Sequence, residues 1–184
     1  MNITVLGCGR WGAFHAWYAD HIGYTVTLWG RASSQHIKEL IATRKNEYVT
    51  LPTSITLTSD IKKAITSADV CILSISAQQV RSFAKQLHEL AIPMTMPIVL
   101  AMKGLEIGSG KRLTTVIEEE LGQDIQTAVW VGPGHVQDFI KGMPNCMVMA
   151  SKDTTLTHKL VDIFTSPLIR FYYGQDLLGI EIGA

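Results

Sequence analysis

The sequence lacks the features that mark several classes of protein. Its 184 residues include only three cysteines, Cys8, Cys71 and Cys146, which form no Cys-x-x-Cys pair. We therefore expect neither a disulfide framework nor a zinc site, and interpret the cysteines as reduced thiols of a cytoplasmic protein. No apolar run reaches the ~18 residues that a membrane span needs. Strand-like residues begin at Asn2 with no basic segment before them, so we predict no signal peptide.

An excess of charge of one sign is also absent. The 16 Lys and Arg residues balance 16 Asp and Glu residues, which gives a formal net charge of zero. This balance argues against nucleic acid or an acidic membrane as a partner, because both select basic surfaces. The six histidines show no metal-ligand spacing, so we predict no metal site. Hydrophobic residues, at 47%, are sufficient for a core, and the length predicts one domain over residues 1–184.

Short apolar segments alternate with segments of helical periodicity. We predict strands over residues 2–6, 24–29, 69–75, 97–102, 128–131, 146–150 and 169–173. Between two of them, Val80, Phe83 and Leu87 have the spacing of one helix face. This alternation predicts an α/β fold with a doubly wound, mainly parallel sheet. Residues 45–60, which contain Pro52 and scattered Thr and Ser, are interpreted as a long connection.

The first predicted strand leads directly into the glycine motif GCGRWG at residues 7–12. A GxGxxG motif between a strand and a helix is typical of a dinucleotide-binding loop. Gly7 permits the tight turn, Gly9 leaves room for a diphosphate, and Gly12 lets the helix lie close to the strand. The N–H groups at the start of the helix would then bind the anion. Motif and alternation together predict a Rossmann-type fold.

The end of the second predicted strand, WGRASS at residues 29–34, contains no acidic residue. Sites that prefer NAD usually place Asp or Glu there to bind the ribose hydroxyls. Arg31 would instead attract a 2′-phosphate, which an acid would repel. We therefore predict NADP as the preferred cofactor, with NAD as the alternative.

Five segments resemble, in the same order, the N-terminal cofactor-binding domain of the NAD(P)-dependent glycerol-3-phosphate dehydrogenases. They are GCGRWG, ADVCILSISAQQVR, AMKGLEIGSGKRL, VGPGHVQDFIKGMPNCMVMAS and DLLGIEIGA. The resemblance implies an oxidoreductase that transfers a hydride reversibly between NAD(P)H and dihydroxyacetone phosphate or sn-glycerol 3-phosphate. It also implies a role in glycerophospholipid synthesis, and a homodimer for the full-length protein.

The resemblance assigns roles to individual residues. Besides the three loop glycines, the implied cofactor-binding residues are Arg10, Trp11, Arg31, Lys103 and Val136. The implied substrate-binding residues are Lys103, Gly132 and Gly134. Lys103 ends a predicted strand, where open sheets bind ligands, and its ammonium would stabilise the alkoxide that develops on a reduced carbonyl. Lys103 is thus our candidate catalytic residue. Gly134 replaces the serine that the family usually has, so a hydroxyl contact is lost there.

The resemblance covers only the first part of the family. The family has a proton-transfer lysine a few residues beyond the Gly-Ala pair, whereas this sequence stops at Ala184. We expect residues 176–184 to begin a helix that leads to a C-terminal helical substrate domain, which is absent here. Such a fragment should bind cofactor but be nearly inactive, because most of the catalytic groups are missing.

Two other functions remain open. A related two-domain dehydrogenase, of the 3-hydroxyacid or 6-phosphogluconate type, would share the glycine motif and a lysine, although the KGLE and GPG segments argue against it. A non-catalytic dinucleotide-sensing module would be consistent with the absence of the proton-transfer lysine. An apolar stripe in the last helix, formed by Leu178, Ile180 and Ile182, instead indicates a missing partner surface.

Two groups of polar residues receive simpler interpretations. His135 follows the Gly-Pro-Gly turn and is a candidate to face the site, whereas the other histidines are interpreted as surface or capping residues. The acidic run from Glu118 to Glu120 is interpreted as the solvated face of a helix.

Overall fold

A computed structural model describes all 184 residues and contains one eight-stranded sheet. Its strands are β1 (Asn2–Leu6), β2 (Thr25–Trp29), β3 (Thr56–Thr58), β4 (Val70–Leu73), β5 (Ile98–Leu100), β6 (Thr127–Val131), β7 (Asn145–Ser151) and β8 (Ile169–Gly174). Their spatial order is β3-β2-β1-β4-β5-β6-β7-β8. The first six strands are parallel, β7 runs antiparallel to β6, and β8 is parallel to β7. The predicted doubly wound, mainly parallel sheet is therefore confirmed.

Eight α-helices connect or follow the strands. They are α1 (Arg10–His21), α2 (Gln35–Thr43), α3 (Ile61–Ile65), α4 (Val80–Glu89), α5 (Leu113–Leu121), α6 (Val136–Ile140), α7 (Thr154–Phe164) and α8 (Leu177–Gly183). A short 3₁₀ turn, Ala77–Gln79, precedes α4. None of the helices is long and apolar enough to cross a lipid bilayer.

The core consists of two apolar clusters, one on each face of the sheet. Within β1, Ile3 and Val5 belong to one cluster, whereas Leu6 belongs to the other. Side chains of a strand alternate between faces, so a strand that is covered on both sides is apolar at nearly every position. Helices α1 and α7 cover the first face, with Phe14 among their buried residues, and helices α4 and α5 cover the second, with Phe83 among theirs. Burial on both faces explains why the strands read as continuous apolar runs.

The interpretation of residues 45–60 as a long connection is incomplete. Its last part contains β3, which pairs with β2 at one edge of the sheet. Only Leu57 in this three-residue strand is apolar, which is too short a pattern to predict a strand from the sequence. Within the same region, the guanidinium of Arg44 donates hydrogen bonds to the carbonyls of Thr53 and Ile55.

Helix α8 forms where the sequence predicts it, and two residues of the predicted apolar stripe are exposed on it. Leu178 and Ile182 are 54% and 60% exposed, whereas Leu177 and Glu181 are buried. The Glu181 carboxylate accepts hydrogen bonds from the backbone and hydroxyl of Thr114 and from Arg112, at 2.7 to 3.1 Å. A buried carboxylate therefore fixes α8 against the first turn of α5.

Candidate functional site

The carboxyl ends of the parallel strands border two adjoining clefts. The first, here called the glycine cleft, has a volume of about 400 Å³ and is lined by the glycine loop (residues 7–12) and by residues after β2 and β4. The second, the lysine cleft, has about 530 Å³ and is lined by α1 and by residues after β5 and β6. Both clefts include Trp11, Ala101 and Met102 in their walls. One ligand could therefore extend from one cleft into the other.

The three loop glycines meet different spatial demands. Gly7 has a φ of +116°, and a Cβ there would overlap the carbonyl of Ser74. A Cβ at Gly12 would overlap the carbonyl of Gly7, so these two glycines allow close approach of backbone to backbone. Gly9 has no neighbouring atom within 4 Å of a built Cβ, so open space lies over it. The loop thus leaves room for a ligand only at its middle glycine.

Helix α1 begins immediately after this open space. Gly9 is its N-cap residue and provides no side chain that could cap the first N–H groups. Uncapped N–H groups at the start of a 12-residue helix favour binding of an anion. Space, donors and helix polarity together fit a diphosphate group.

Arg10 and Trp11 extend this surface in two directions. The Arg10 guanidinium donates a hydrogen bond to the Gln137 side chain of α6 and lies 4.3 Å from the ring centre of Tyr48. The Arg10 Nε is buried without a hydrogen-bond partner. Trp11 borders both clefts and packs against Phe14. Trp11 thus lies beside both clefts, whereas Arg10 lines neither, so the contact of each residue with a dinucleotide stays a prediction.

The far end of the glycine cleft is basic. Arg31 is exposed after β2 and borders the cleft together with Ser34 and His36. None of the 15 residues that line this cleft is Asp or Glu. The sequence shows no acidic residue after the second strand, and the structure extends this absence to the whole lining of the glycine cleft.

The lysine cleft combines Lys103 with the turn after β6. Lys103 is exposed three residues after the end of β5, and Gly132 and Gly134 line the same cleft. A Cβ at Gly134 would overlap the ring of Phe139, so the serine usual at this position would require that ring to move. Val136 is fully buried at the start of α6 and lines neither cleft, so its contact with a cofactor stays a prediction.

His15 is a site residue that the sequence reasoning missed. It is 1% exposed rather than on the surface, and it borders the lysine cleft between the rings of Trp11 and Trp130. Burial lowers the pKa of His15 to about 3, so its imidazole is neutral at pH 7. Its position four residues after Trp11, on the buried face of α1, is the signal that could have revealed it. His135 is exposed and borders the lysine cleft.

The acidic run of α5 is wrongly interpreted as a solvated face. Glu118 is only 6% exposed and accepts a hydrogen bond of 2.5 Å from Lys152. Glu119 and Glu120 both accept hydrogen bonds from Arg81, at 2.9 and 2.6 Å. The run therefore fixes α5 to its neighbours through ion pairs.

Comparison with known proteins decides the family. Residues 2–157 match the family described as the NAD-dependent glycerol-3-phosphate dehydrogenase N-terminus. The chain belongs to this family. The resemblance noted in the sequence is thereby confirmed over most of the chain.

Individual relatives agree with this assignment. A glycerol-3-phosphate dehydrogenase of Thermoanaerobacter sp., named as using NAD(P)+, is 32% identical over 186 residues, and one of Prosthecochloris aestuarii is 36% identical over 188. These alignments cover 100% and 99% of this chain but 55% and 56% of the relatives. A solved glycerol-3-phosphate dehydrogenase of Coxiella burnetii has the same fold, with a TM-score of 0.88 at 24% identity, over 98% of this chain and 55% of that one. The chain thus spans about half the length of the curated relatives it matches.

Proposed function

We propose that this chain is the cofactor-binding part of an NAD(P)-dependent glycerol-3-phosphate dehydrogenase. The reaction interconverts dihydroxyacetone phosphate and sn-glycerol 3-phosphate, with the bound nicotinamide ring as hydride donor or acceptor. The observation that carries this proposal is that the glycine cleft, with open space over Gly9 at the uncapped start of α1, adjoins a cleft containing Lys103. As the family implies, we further propose a cytoplasmic, homodimeric full-length enzyme that supplies glycerophospholipid synthesis.

The glycine cleft would hold the dinucleotide. The first N–H groups of α1 would bind the diphosphate in the space over Gly9, with Arg10 as an adjacent cation. Arg31, assisted by Ser34 and His36, would receive the adenosine ribose and its 2′-phosphate. The basic, acid-free lining supports NADP as the preferred cofactor, with NAD as the alternative.

Lys103 would act on the substrate in the lysine cleft. Its ammonium would attract the substrate phosphate and stabilise negative charge on the reacting oxygen. Trp11, His15 and Trp130 provide a largely apolar wall, which excludes water and strengthens that electrostatic stabilisation. The backbone of Gly132 and Gly134 would border the substrate.

One observation favours a second candidate, a dinucleotide-binding module without turnover. Lys103 is the only Lys or Arg among the 12 residues that line the lysine cleft. A phosphorylated three-carbon substrate would need a cation that holds its phosphate while another stabilises the charge on its reacting oxygen, and this lining offers a single permanent cation for both. We therefore propose that these 184 residues alone bind the dinucleotide and turn over substrate at close to the background rate.

Calorimetric titration of the chain with NADPH and NADH tests the proposal. Binding of either nucleotide, with NADPH the tighter, is the expected result, and binding of neither would refute it. An assay of dihydroxyacetone phosphate reduction on the same sample separates the two candidates, since robust turnover would contradict the module without turnover.

A further inference from the structure

The segment that contains Lys103 accepts a hydrogen bond from a glutamine side chain of another loop and donates one to it. We call residues 101–112 the lysine loop. Gln78, in the 3₁₀ turn after β4, donates a hydrogen bond from Nε2 to the carbonyl of Leu105 and accepts one from the N–H of Ile107, both at 2.8 Å. A primary amide that bonds one N–H and one carbonyl of the same segment fixes both its position and its orientation. Gln78 therefore acts on the backbone only two residues beyond Lys103.

A second contact to the same segment comes from α4. Arg81 donates from Nε and Nη2 to the two oxygens of Glu106, at 2.7 and 2.8 Å, which is a bidentate pair. Arg81 also bonds Glu119 and Glu120 of α5. The hydrogen bonds from Arg81, and a further one from Ser109, lower the pKa of Glu106 to about 2, so the carboxylate stays charged at neutral pH.

The lysine loop has its own internal hydrogen bonds, but they lie beyond Lys103. The N–H of Glu106 donates to the carbonyl of Lys111 at 2.9 Å, and Leu105 pairs with Arg112. Between this closed part and the end of β5, the chain passes through Gly104, which has a φ of +108°. Because glycine restricts the backbone least, contacts from outside the loop must fix the backbone that follows Lys103.

We infer that Gln78 and Arg81 are positioning residues that hold Lys103 over the lysine cleft. The inference rests on the proposed function, because it takes Lys103 to contact the nicotinamide side of the dinucleotide or the substrate. Gln78 lies in the same segment as Ser74, Ile75, Ser76 and Gln79, which line the glycine cleft. The two residues therefore connect the loop that borders the nucleotide with the loop that presents the lysine.

The test compares two ligands in four forms of the protein. The ligands are NADPH and 2′-phospho-ADP-ribose, which lacks the nicotinamide ring and should not reach Lys103. The proteins are the wild type, Gln78→Ala, Lys103→Ala and the double variant that combines both changes. Gln126→Ala is the matched control, because this glutamine is also exposed but enters no side-chain hydrogen bond. Calorimetry gives the dissociation constant of each pair.

We expect Gln78→Ala to weaken NADPH binding about three- to tenfold, as loss of one or two hydrogen bonds would, and to leave 2′-phospho-ADP-ribose unchanged. In the Lys103→Ala background, Gln78→Ala should have no further effect on NADPH. A merely structural role would instead weaken binding in both backgrounds. Arg81→Lys, which keeps the charge but loses the bidentate geometry, should behave as Gln78→Ala does.

Each other outcome overturns a defined part of the argument. If the wild type binds no NADPH, the proposed function fails. A second outcome is that NADPH binds and that Lys103→Ala weakens its binding. If Gln78→Ala and Arg81→Lys then have the same dissociation constant for NADPH as Gln126→Ala, the positioning role fails while the proposed function stands. The same holds if their effects on NADPH binding add independently to that of Lys103→Ala. If Lys103→Ala leaves NADPH binding unchanged, Lys103 makes no contact that needs positioning, and the inference fails with it.

Discussion

The glycine loop and the lysine loop lie at the same edge of the sheet but are fixed by different kinds of contact. In the glycine loop, backbone packs on backbone, since Gly12 lies against the carbonyl of Gly7, only five residues earlier. In the lysine loop, side chains hold the backbone, and the partners of Arg81 lie 25 to 39 residues away. The comparison teaches that one part of the site is fixed by close approach of backbone to backbone, and the other by side chains of neighbouring elements that bond to it.

Substitutions of Gly12 and Gly9 should have separate effects, the first on the stability of the fold and the second on the binding of the dinucleotide. Gly12→Ala should lower the free energy of unfolding by about 3 kcal/mol, because its Cβ would meet the carbonyl of Gly7. Gly9→Ala is the matched control, since its Cβ enters open space, and it should leave stability unchanged while weakening NADPH binding. Urea denaturation and calorimetry measure the two effects. Equal stability of both variants would show that the loop is not fixed by backbone contact.

A pH titration should test His15, which lies on α1 just after the glycine loop and borders the lysine cleft. Its pKa falls from 6.5 to about 3 on burial, so protons bind the unfolded chain more readily. The stabilising effect of a neutral His15 is therefore complete above pH 6.5 and is lost as the pH falls towards 3. At pH 5 the loss should be about 2 kcal/mol.

His15→Leu provides the comparison for that titration, because leucine has no proton to bind. Urea denaturation at intervals between pH 7 and pH 4.5 should show the wild type losing stability faster than the variant. Parallel curves for the two proteins would mean that His15 is not buried as a neutral group.

Replacement of Arg31 should remove the positive charge from the glycine cleft without changing the conformation of the glycine loop. Arg31→Ala should weaken NADPH binding about tenfold, through loss of a charge-assisted contact to the 2′-phosphate, and leave NADH binding unchanged. Tryptophan fluorescence can follow both titrations. Arg170→Ala, at an exposed arginine of β8, is the control. An equal loss for the two nucleotides would contradict selection of the 2′-phosphate by Arg31.

The smallest effect should come from the outer ion pair of the lysine loop. Lys111 and Glu119 are 2.5 Å apart with side chains 44% and 31% exposed, so Lys111→Ala should cost about 0.5 kcal/mol or less. Lys152→Ala removes the partner of the buried Glu118 and should cost more, about 1 to 3 kcal/mol. Thermal denaturation of both variants checks the ranking. A larger loss for Lys111→Ala would place the main support of the loop at its outer pair.

The difference between the loops also explains what could be predicted from the sequence. The strand β1, the glycine loop and the start of α1 follow from adjacent residues, so the motif at 7–12 predicts the local structure that borders the glycine cleft. Lys103 and the Gly-Pro-Gly turn were found through resemblance to a family, since neither has a distinctive pattern of its own. The placement of both in one cleft depends on the order of the strands.

Features that depend on contacts between distant residues were missed. The bonds from Gln78 to the lysine loop span 27 and 29 residues, and nothing in the local sequence indicates them. Glu118 belongs to an acidic run that is typical of a solvated face, but it is only 6% exposed, and its carboxylate accepts a hydrogen bond from Lys152, just after β7. Histidine is a polar residue, so the sequence predicts His15 to lie at the surface. In the structure it is buried, with the rings of Phe14 and Trp130 packed against it.

Because β7 runs antiparallel to β6, the connection that follows β8 lies at the opposite edge of the sheet from the connections that follow β1, β2, β4, β5 and β6. Strand β7 begins at the edge that bears both clefts and ends at the opposite edge, and β8 follows the same course. The exposed turn at Gln175 therefore lies remote from every residue that lines a cleft. That turn offers an attachment point for a dye or a surface tether, through which occupancy could be recorded on an immobilised molecule without obstructing ligand entry.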